Sequence, residues 1–470
     1  MSGLPVAFRD FAARVDSAFS EEPFAYSREI ADRKTVLMKK IVEAFREAYS
    51  PKADDEVHSF FVPGRLEVFG KHTDYAGGHS LLFPIGRGLH CMCKANNRRT
   101  VKLRDINPRY GERAFRISER LQPQVGGWVN YPMTVVERLC KNFGGDLVGV
   151  DIAFGSDLPP AGGMSSSSAL MIMVFLAVAS VSKLFNHPAY KMNVAGNLDL
   201  AMYLACVENG QTFRGLAGDR GVGTFGGSED HTTILNGKRG TISLYQFAPT
   251  AHEADIALPD ELAYVILYSG VKARKTGGAM YKYNLVAKRA GLVVNHYNKA
   301  YGTAHGLMRH IIEENSSLAA DATLAKVEKA TANYMERGRD VDLPGRFHQF
   351  YLEDQEFIPK ATGAFGSRNY EELARVTNLS HEASKTYLWN IAPEIEFLRK
   401  EALRLGALAA SGFGAGFGGS AYALVRVEDA PEFAGRMENS YGRRFPRYVK
   451  MAKFFRAYPS TGACELFSRP

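Results

Sequence analysis

A chain of 470 residues, 46% hydrophobic and 23% charged, can bury cores for two or three domains, which excludes disorder as its overall state. Its 58 basic and 50 acidic residues leave a net +8 with no basic run, which suits small anionic ligands and argues against nucleic acid as the partner. The five cysteines, Cys91, Cys93, Cys140, Cys206 and Cys464, form no CxxC pair and have no histidine spacing suited to zinc, so reduced thiols in a cytoplasm are expected.

The start of the chain has no basic segment followed by an apolar signal core. Residues 4–20 and 28–49 read as two helices, the second with Leu37, Ile41, Phe45 and Ala48 on one face, and the Ser-Pro step at 50–51 ends them. VHSFFV at 57–62, RLEVFG at 65–70 and SLLFPI at 80–85 have strand character, with turn residues Ala76-Gly77-Gly78 before the last. The segment PGRLEVFGKHTDYAGG at 63–78 therefore lies on a strand and the loop after it. A strand over 148–159 leads into LPPAGGMSSSSAL at 158–170, and a helix follows from about Ser166 to Leu184. Its most apolar part, Ala169 to Ser182, makes ~21 Å of helix against the ~30 Å of a bilayer core, so a buried helix and no membrane partner are expected.

A second helix is predicted over 195–209, no regular element over the glycine-dense 215–231, and a strand over 241–247. The pattern breaks near 248–258, where the domain boundary is placed. Beyond it come a strand at 262–268, several amphipathic helices between 279 and 338, a helix at 393–409, the segment SGFGAGFGGSAYAL at 411–424 and a strand from Tyr422 to Val427. Alternating helices and strands indicate α+β or α/β, and there is no internal repeat.

Two motifs are decoys. GRLEVFGK at 64–71 has five residues between its glycines and a histidine after the lysine, so it is not a P-loop. GAGFGG at 414–419 fits the spacing of a dinucleotide site, but a helical pattern precedes it and a strand follows, the reverse of what that site needs. The 158–170 segment carries firmer physics. A loop of small residues entering an apolar helix presents free backbone N–H groups and hydroxyls at a helix N-terminus, which is an anion site, foremost for phosphates.

These three segments, in this order, resemble the GHMP family of small-molecule kinases, with the galactokinase pattern nearest. The first is similar to GRVNLIGEHTDYNGG, the second to the family phosphate loop PxGxGLSSSAAL, and the third to its late glycine-rich motif. The resemblance spans roughly residues 57 to 465. It implies an α+β, two-domain GHMP kinase fold: a helical extension over 1–50, a ribosomal S5 domain 2-like domain holding ATP and sugar over 51–250, and a ferredoxin-like domain over 251–470.

It also implies a phosphotransferase using ATP and Mg2+ on the anomeric C1 hydroxyl of galactose or a galactose-like monosaccharide. Such transfer needs charge neutralised on the γ-phosphate, a magnesium ion between phosphates, and an aligned acceptor hydroxyl. By resemblance, Gly162, Gly163, Ser165, Ser166 and Ser167 hold the nucleotide, with Ser167 and Glu208 beside the metal. Asp230, in GGSEDH, matches the aspartate of the family's GIMDQ segment and orients or deprotonates the acceptor, while Arg65 stabilises the phosphate. His72, Asp74, Gly227 and either Tyr281 or Tyr283 match sugar contacts. In galactokinases about a dozen residues separate the metal-side glutamate from the aspartate; here Asp230 follows Glu208 by 22, and the insertion falls within 215–226.

Lys71 departs from the pattern, since galactokinases carry glutamate there, associated with the sugar's C6 hydroxyl. A lysine donates and cannot accept. Either it turns to solvent or the substrate differs at C6, as in galacturonate. A further alternative is a sugar- and ATP-binding regulator without turnover. The oligomeric state is left open, with a monomer compatible.

Overall fold

The computed structural model describes residues 4–19, 28–122, 127–272, 278–332, 334–336 and 339–467. Two sheets organise it. The first runs, in spatial order, Val6–Ala7, Glu56–Phe69, His79–Asn96, Gly149–Ser156, Thr100–Asp105 and Glu112–Arg116, with Thr241–Gln246 and Ala251–Ala257 added beside His79–Asn96, and Cys464–Glu465 returning from the far end of the chain to pair with Glu56–Phe69. The second is antiparallel, ordered Ala409–Gly412, Ser420–Arg426, Leu262–Tyr268, Lys453–Ala457. With helices Pro393–Arg404 and Ala430–Arg444 packed on one face, its chain order is the βαββαβ of a ferredoxin-like domain.

Several boundaries differ from the sequence reading, each for a local reason. The strands expected at 57–62 and 65–70 are one strand, bulged between Pro63 and Arg65 and again between Glu67 and Phe69, so the motif stays in the sheet while its side chains are re-aimed. The helix expected over 4–20 begins only at Phe8, because Val6 and Ala7 pair with Val57 and Glu56; it ends at Arg14, and residue 20 lies outside the described residues. The division at 250/251 falls in the turn of a hairpin, and the first sheet runs on to Ala257. The expected helix at 393–409 stops at Arg404, and Ala409–Gly412 is a strand. GAGFGG is therefore a hairpin connection, still without the helix a dinucleotide site requires.

The helix Ser166–Val181 is buried on every side, from Ser168 to Ala179, as an all-apolar helix must be. It packs against the first sheet and against helices Asn130–Phe143, Asn197–Asn209 and Glu229–Asn236. Its N-terminus is thereby fixed at the edge of the core. The helix Arg28–Tyr49 buries Met38, Ile41, Val42 and Phe45 against the first sheet. No described helix is long and apolar enough to cross a membrane.

Candidate active site

The first and second motifs meet at a cavity of about 320 Å³. On one side stand Ser165, Ser166, Ser167 and Gly163, at the start of the Ser166–Val181 helix. Ser165 is held at φ +58°, no side chain caps the helix, and the Ser165 hydroxyl is buried without a hydrogen-bond partner. Uncapped N–H groups and an orphaned hydroxyl at one helix end are donors that can receive the oxygens of an anion. Gly162 stands behind the wall, its carbonyl accepting from Ser420 Oγ at 2.6 Å. Trp128 and Tyr131 line the same cavity, and Trp128 Nε1 is a buried donor without a partner.

Arg65 joins the phosphate-like side to the acids. Its Nη1 donates to the Gly163 carbonyl at 2.7 Å, its Nη2 meets Asp230 Oδ1 at 2.7 Å, and its Nε lies 3.3 Å from Glu229 Oε1. Burial works against the guanidinium, but Asp230, Glu229 and Glu67 overcome it and raise its pKa further, so Arg65 is a fixed cation. Asp230 sits in the first turn of the helix Glu229–Asn236, where the sequence reading expected no regular element. Ser168 Oγ, fully buried, lies 3.0 Å from Glu208 Oε2 and 3.3 Å from Asp230 Oδ2 and so ties the two carboxylates together.

The residues inserted between Glu208 and Asp230 do not push them apart. The loop closes on its own base, with Asp219 N donating to the Gly210 carbonyl and Val222 N to that of Glu208, at 2.9 and 2.8 Å. Arg138 and Asn142 hold its outer part through the carbonyls of Gln211 and Ala217.

On the opposite wall are His72, Asp74 and Tyr283. Asp74 accepts from the backbone N–H of Tyr75 at 2.8 Å and of Glu229 at 3.3 Å. Burial raises its pKa, those N–H groups oppose the rise, and Asp230 adds to it. A Cβ at Gly227 would stand 2.4 Å from Asp74 Oδ2, so glycine is needed where the two loops cross. His72 contacts Tyr75 Oη at 2.9 Å and the Ala415 carbonyl at 3.3 Å, and its ring centroid is 5.8 Å from that of Tyr283. Between the two candidate tyrosines the geometry chooses Tyr283; Tyr281 is more than half exposed and lines a neighbouring cavity. The third motif reaches in through Gly414, at φ +73°, where a Cβ would lie 2.6 Å from the Gly163 carbonyl.

Lys71 is a correction. It faces neither the cavity nor solvent: its ammonium is buried, donating to Ser380 Oγ at 2.7 Å and standing 4.0 Å from Glu353 Oε1. Glu353 in turn accepts the Gly70 N–H at 2.9 Å. The lysine thus anchors the loop from behind and offers no hand to a sugar's C6. Sequence reading also missed Glu67, Ser168 and the residues that clamp the loop from the second half: Arg346 Nη2 donates to the His72 carbonyl and Gln349 Nε2 to that of Lys71, at 2.7 and 3.0 Å. The alternation of the first strand offered a signal for Glu67, which shares the face of Arg65.

Comparison with known proteins places the galactokinase galactose-binding signature at residues 43–95, the GHMP kinase N-terminal domain at 130–206 and the GHMP kinase C-terminal domain at 361–443. The chain is 26% identical to a galactokinase of Lactococcus lactis, over 93% of this chain and 98% of that one, and 23% identical to a galactokinase of Dictyostelium discoideum, over 92% and 95%. Among solved structures it is similar to Lactococcus lactis galactokinase complexed with galactose, with a TM-score of 0.73 at 22% identity over 90% of this chain and 98% of that one. A mevalonate kinase shares the fold at a TM-score of 0.50 and 16% identity, over 86% and 99%.

Proposed function

We propose that this chain, which belongs to the GHMP kinase family, is an ATP-dependent sugar kinase that carries the γ-phosphoryl group to the anomeric hydroxyl of galactose or a close relative. One observation carries the reading. A single buried guanidinium reaches both the phosphate-loop carbonyl of Gly163 and the carboxylate of Asp230, with the sugar-loop residues Asp74 and His72 on the facing wall.

In this reading the sugar lies between Asp74, His72 and Tyr283, and its C1 hydroxyl points to Asp230. Asp230 Oδ takes the hydroxyl proton as the oxygen attacks phosphorus, or orients the hydroxyl by accepting from it. Arg65 sets the direction of Asp230 and presents positive charge where the transferring oxygens gain negative charge. The N–H groups and hydroxyls of Ser165–Ser167 hold the remaining phosphate oxygens, and Trp128 and Tyr131 form an aromatic seat for the base.

The donor set fits Mg2+, since the Glu208 carboxylate and the Ser167 hydroxyl offer oxygen ligands alone and leave room for water and phosphate oxygens. Bound there, the ion would neutralise phosphate charge and hold the phosphates in one arrangement. Five free cysteines keep a reducing, cytoplasmic setting within the proposal.

The reading is tested by ADP release with Mg2+ across galactose, galacturonate, N-acetylgalactosamine, L-arabinose, glucose and mevalonate. Galactose turnover that disappears in Asp230→Asn supports it. Tight binding of sugar and ATP without turnover of any of them would support the regulator instead. The position of Lys71 removes the ground for preferring galacturonate.

A further inference from the structure

The resembled motifs carry asparagine in GRVNLIG and methionine in GIMDQ at the positions that Glu67 and Glu229 occupy here, so this chain has placed two carboxyls where the pattern is neutral. The two lie side by side. They are within hydrogen-bonding reach of each other, are only 3% and 5% exposed, and both line the cavity. Glu67 Oε1 has no hydrogen-bond partner, the Ser80 hydroxyl lies 3.4 Å from Glu229 Oε2, and Glu229 Oε1 is 3.3 Å from Arg65 Nε.

Four carboxyls, those of Glu67, Asp74, Glu229 and Asp230, therefore crowd one guanidinium in a cavity that must also admit a polyphosphate. Charged groups reach the pair from every side: Arg65 along the strand, Asp74 from the sugar loop, Asp230 from its own helix, and Lys71 and Glu353 behind Glu67. Buried carboxyls in contact do not both ionise, and they titrate as a unit. Burial first, and then mutual repulsion, holds Glu229 well above the usual carboxylate range, and burial raises Glu67 in the same direction.

We propose that Glu67 and Glu229 share one proton and act as a positioning pair for Arg65. While the proton is held, Arg65 Nε rests against a neutral Glu229 and the charge of the guanidinium is directed to Asp230 and the transferring phosphate. When the proton leaves, the new carboxylate draws Arg65 toward Glu229, and Asp230 loses its orienting partner. This rests on the kinase reading above.

The test is the pH profile of kcat at saturating galactose and MgATP, each variant scaled to its own acid plateau. The wild type is expected to lose activity above the pair's apparent pKa, about tenfold per pH unit for one lost proton. Glu229→Gln stays neutral and should lose this alkaline limb. Glu67→Gln removes the neighbour whose charge raises Glu229, so the limb should move to lower pH. Isosteric changes at two touching residues that shift a profile in opposite directions cannot come from packing alone. A wild-type profile with no alkaline limb, or a limb that stays in place or moves the same way in both variants, overturns the proposal. If one single variant fails to fold, Glu67→Gln/Glu229→Gln should give a flat profile, and a retained limb there also overturns it. Failure of the wild type to turn over any sugar would instead defeat the kinase reading.

Discussion

Replacing Arg65 by glutamine should damage stability and catalysis together, the stability loss varying with pH and the loss of kcat persisting across it. Arg65 is 5% exposed and is the cation that Glu67, Glu229 and Asp230 surround. Removing one partner from a buried ion-pair network typically costs about 3–5 kcal/mol, because the remaining charges keep their desolvation penalty. Loss of its charge at the transferring phosphate should lower kcat by about 10²–10³, the effect of deleting one preorganised donor. The stability deficit should depend on pH with a definite sign. Arg65 pulls down the carboxyls of Glu67, Asp74 and Glu229, so without it their folded-state pKa values rise further above the unfolded values. A carboxyl raised on folding contributes stability that is fully present below its unfolded pKa of about 4 and is lost as pH rises through the folded pKa. Urea unfolding should therefore show a wide gap between wild type and Arg65→Gln at pH 8 that narrows at pH 5, while kcat stays low at both. A gap independent of pH, or a kcat within threefold of wild type, would refute this account of Arg65.

Three other changes probe separate parts of the structure. Lys71→Gln leaves the fully buried Glu353 without its nearby cation and should cost about 3 kcal/mol by urea unfolding, yet leave the ratio of galactose to galacturonate turnover unchanged, since Lys71 lies outside the cavity. Gly414→Ala should displace the phosphate loop, because its Cβ would meet the Gly163 carbonyl and its φ is +73°; an ATP KM raised about tenfold with a nearly unchanged galactose KM is expected, for strain of about 1–3 kcal/mol. Lys34 is fully buried 4.0 Å from the Phe61 ring centroid and 3.3 Å from His90 Nε2, and burial lowers its pKa from 10.5 to about 8. Such a depressed amine disfavours folding below its folded pKa and ceases to do so above 10.5, so Lys34→Met should gain about 3 kcal/mol at pH 7 and nothing at pH 10.5 in thermal melts.

The order of elements around the three motifs was legible because each rests on local chemistry: alternation for the strands, an all-apolar run for the Ser166–Val181 helix, glycine and serine for the loops. Asp230, Arg65 and Glu208 were reached by pattern, and their convergence depends on contacts far apart in sequence, such as the Arg65 to Gly163 bond. Three readings failed where tertiary pairing overrode local preference. Residues 6–7 became a strand because a partner edge was free, 409–412 became a strand inside a hairpin, and Lys71 found a buried serine and carboxylate that no local pattern announces.

Lys71 also shows how the two halves depend on each other. The sugar loop is anchored by residues that lie more than 270 positions later: Glu353 takes the Gly70 N–H, Arg346 the His72 carbonyl, Gln349 the Lys71 carbonyl, and Asp354 the His79 N–H at 2.7 Å. Glu353 and Asp354 reach it from the π-helical turn Leu352–Phe357, a local widening of the kind that marks functional sites in helices. His72 is held at φ +59°, a strained position for a non-glycine residue, and its carbonyl is fixed by Arg346. The phosphate loop is held from the second half by different residues, Ser420 Oγ donating to the Gly162 carbonyl at 2.6 Å and Tyr268 Oη to that of Pro160 at 3.1 Å. It follows that unfolding or displacing the Leu343–Tyr351 helix should release the sugar wall and spare the anion site, so that damage there enters as a sugar defect before it enters as a nucleotide defect.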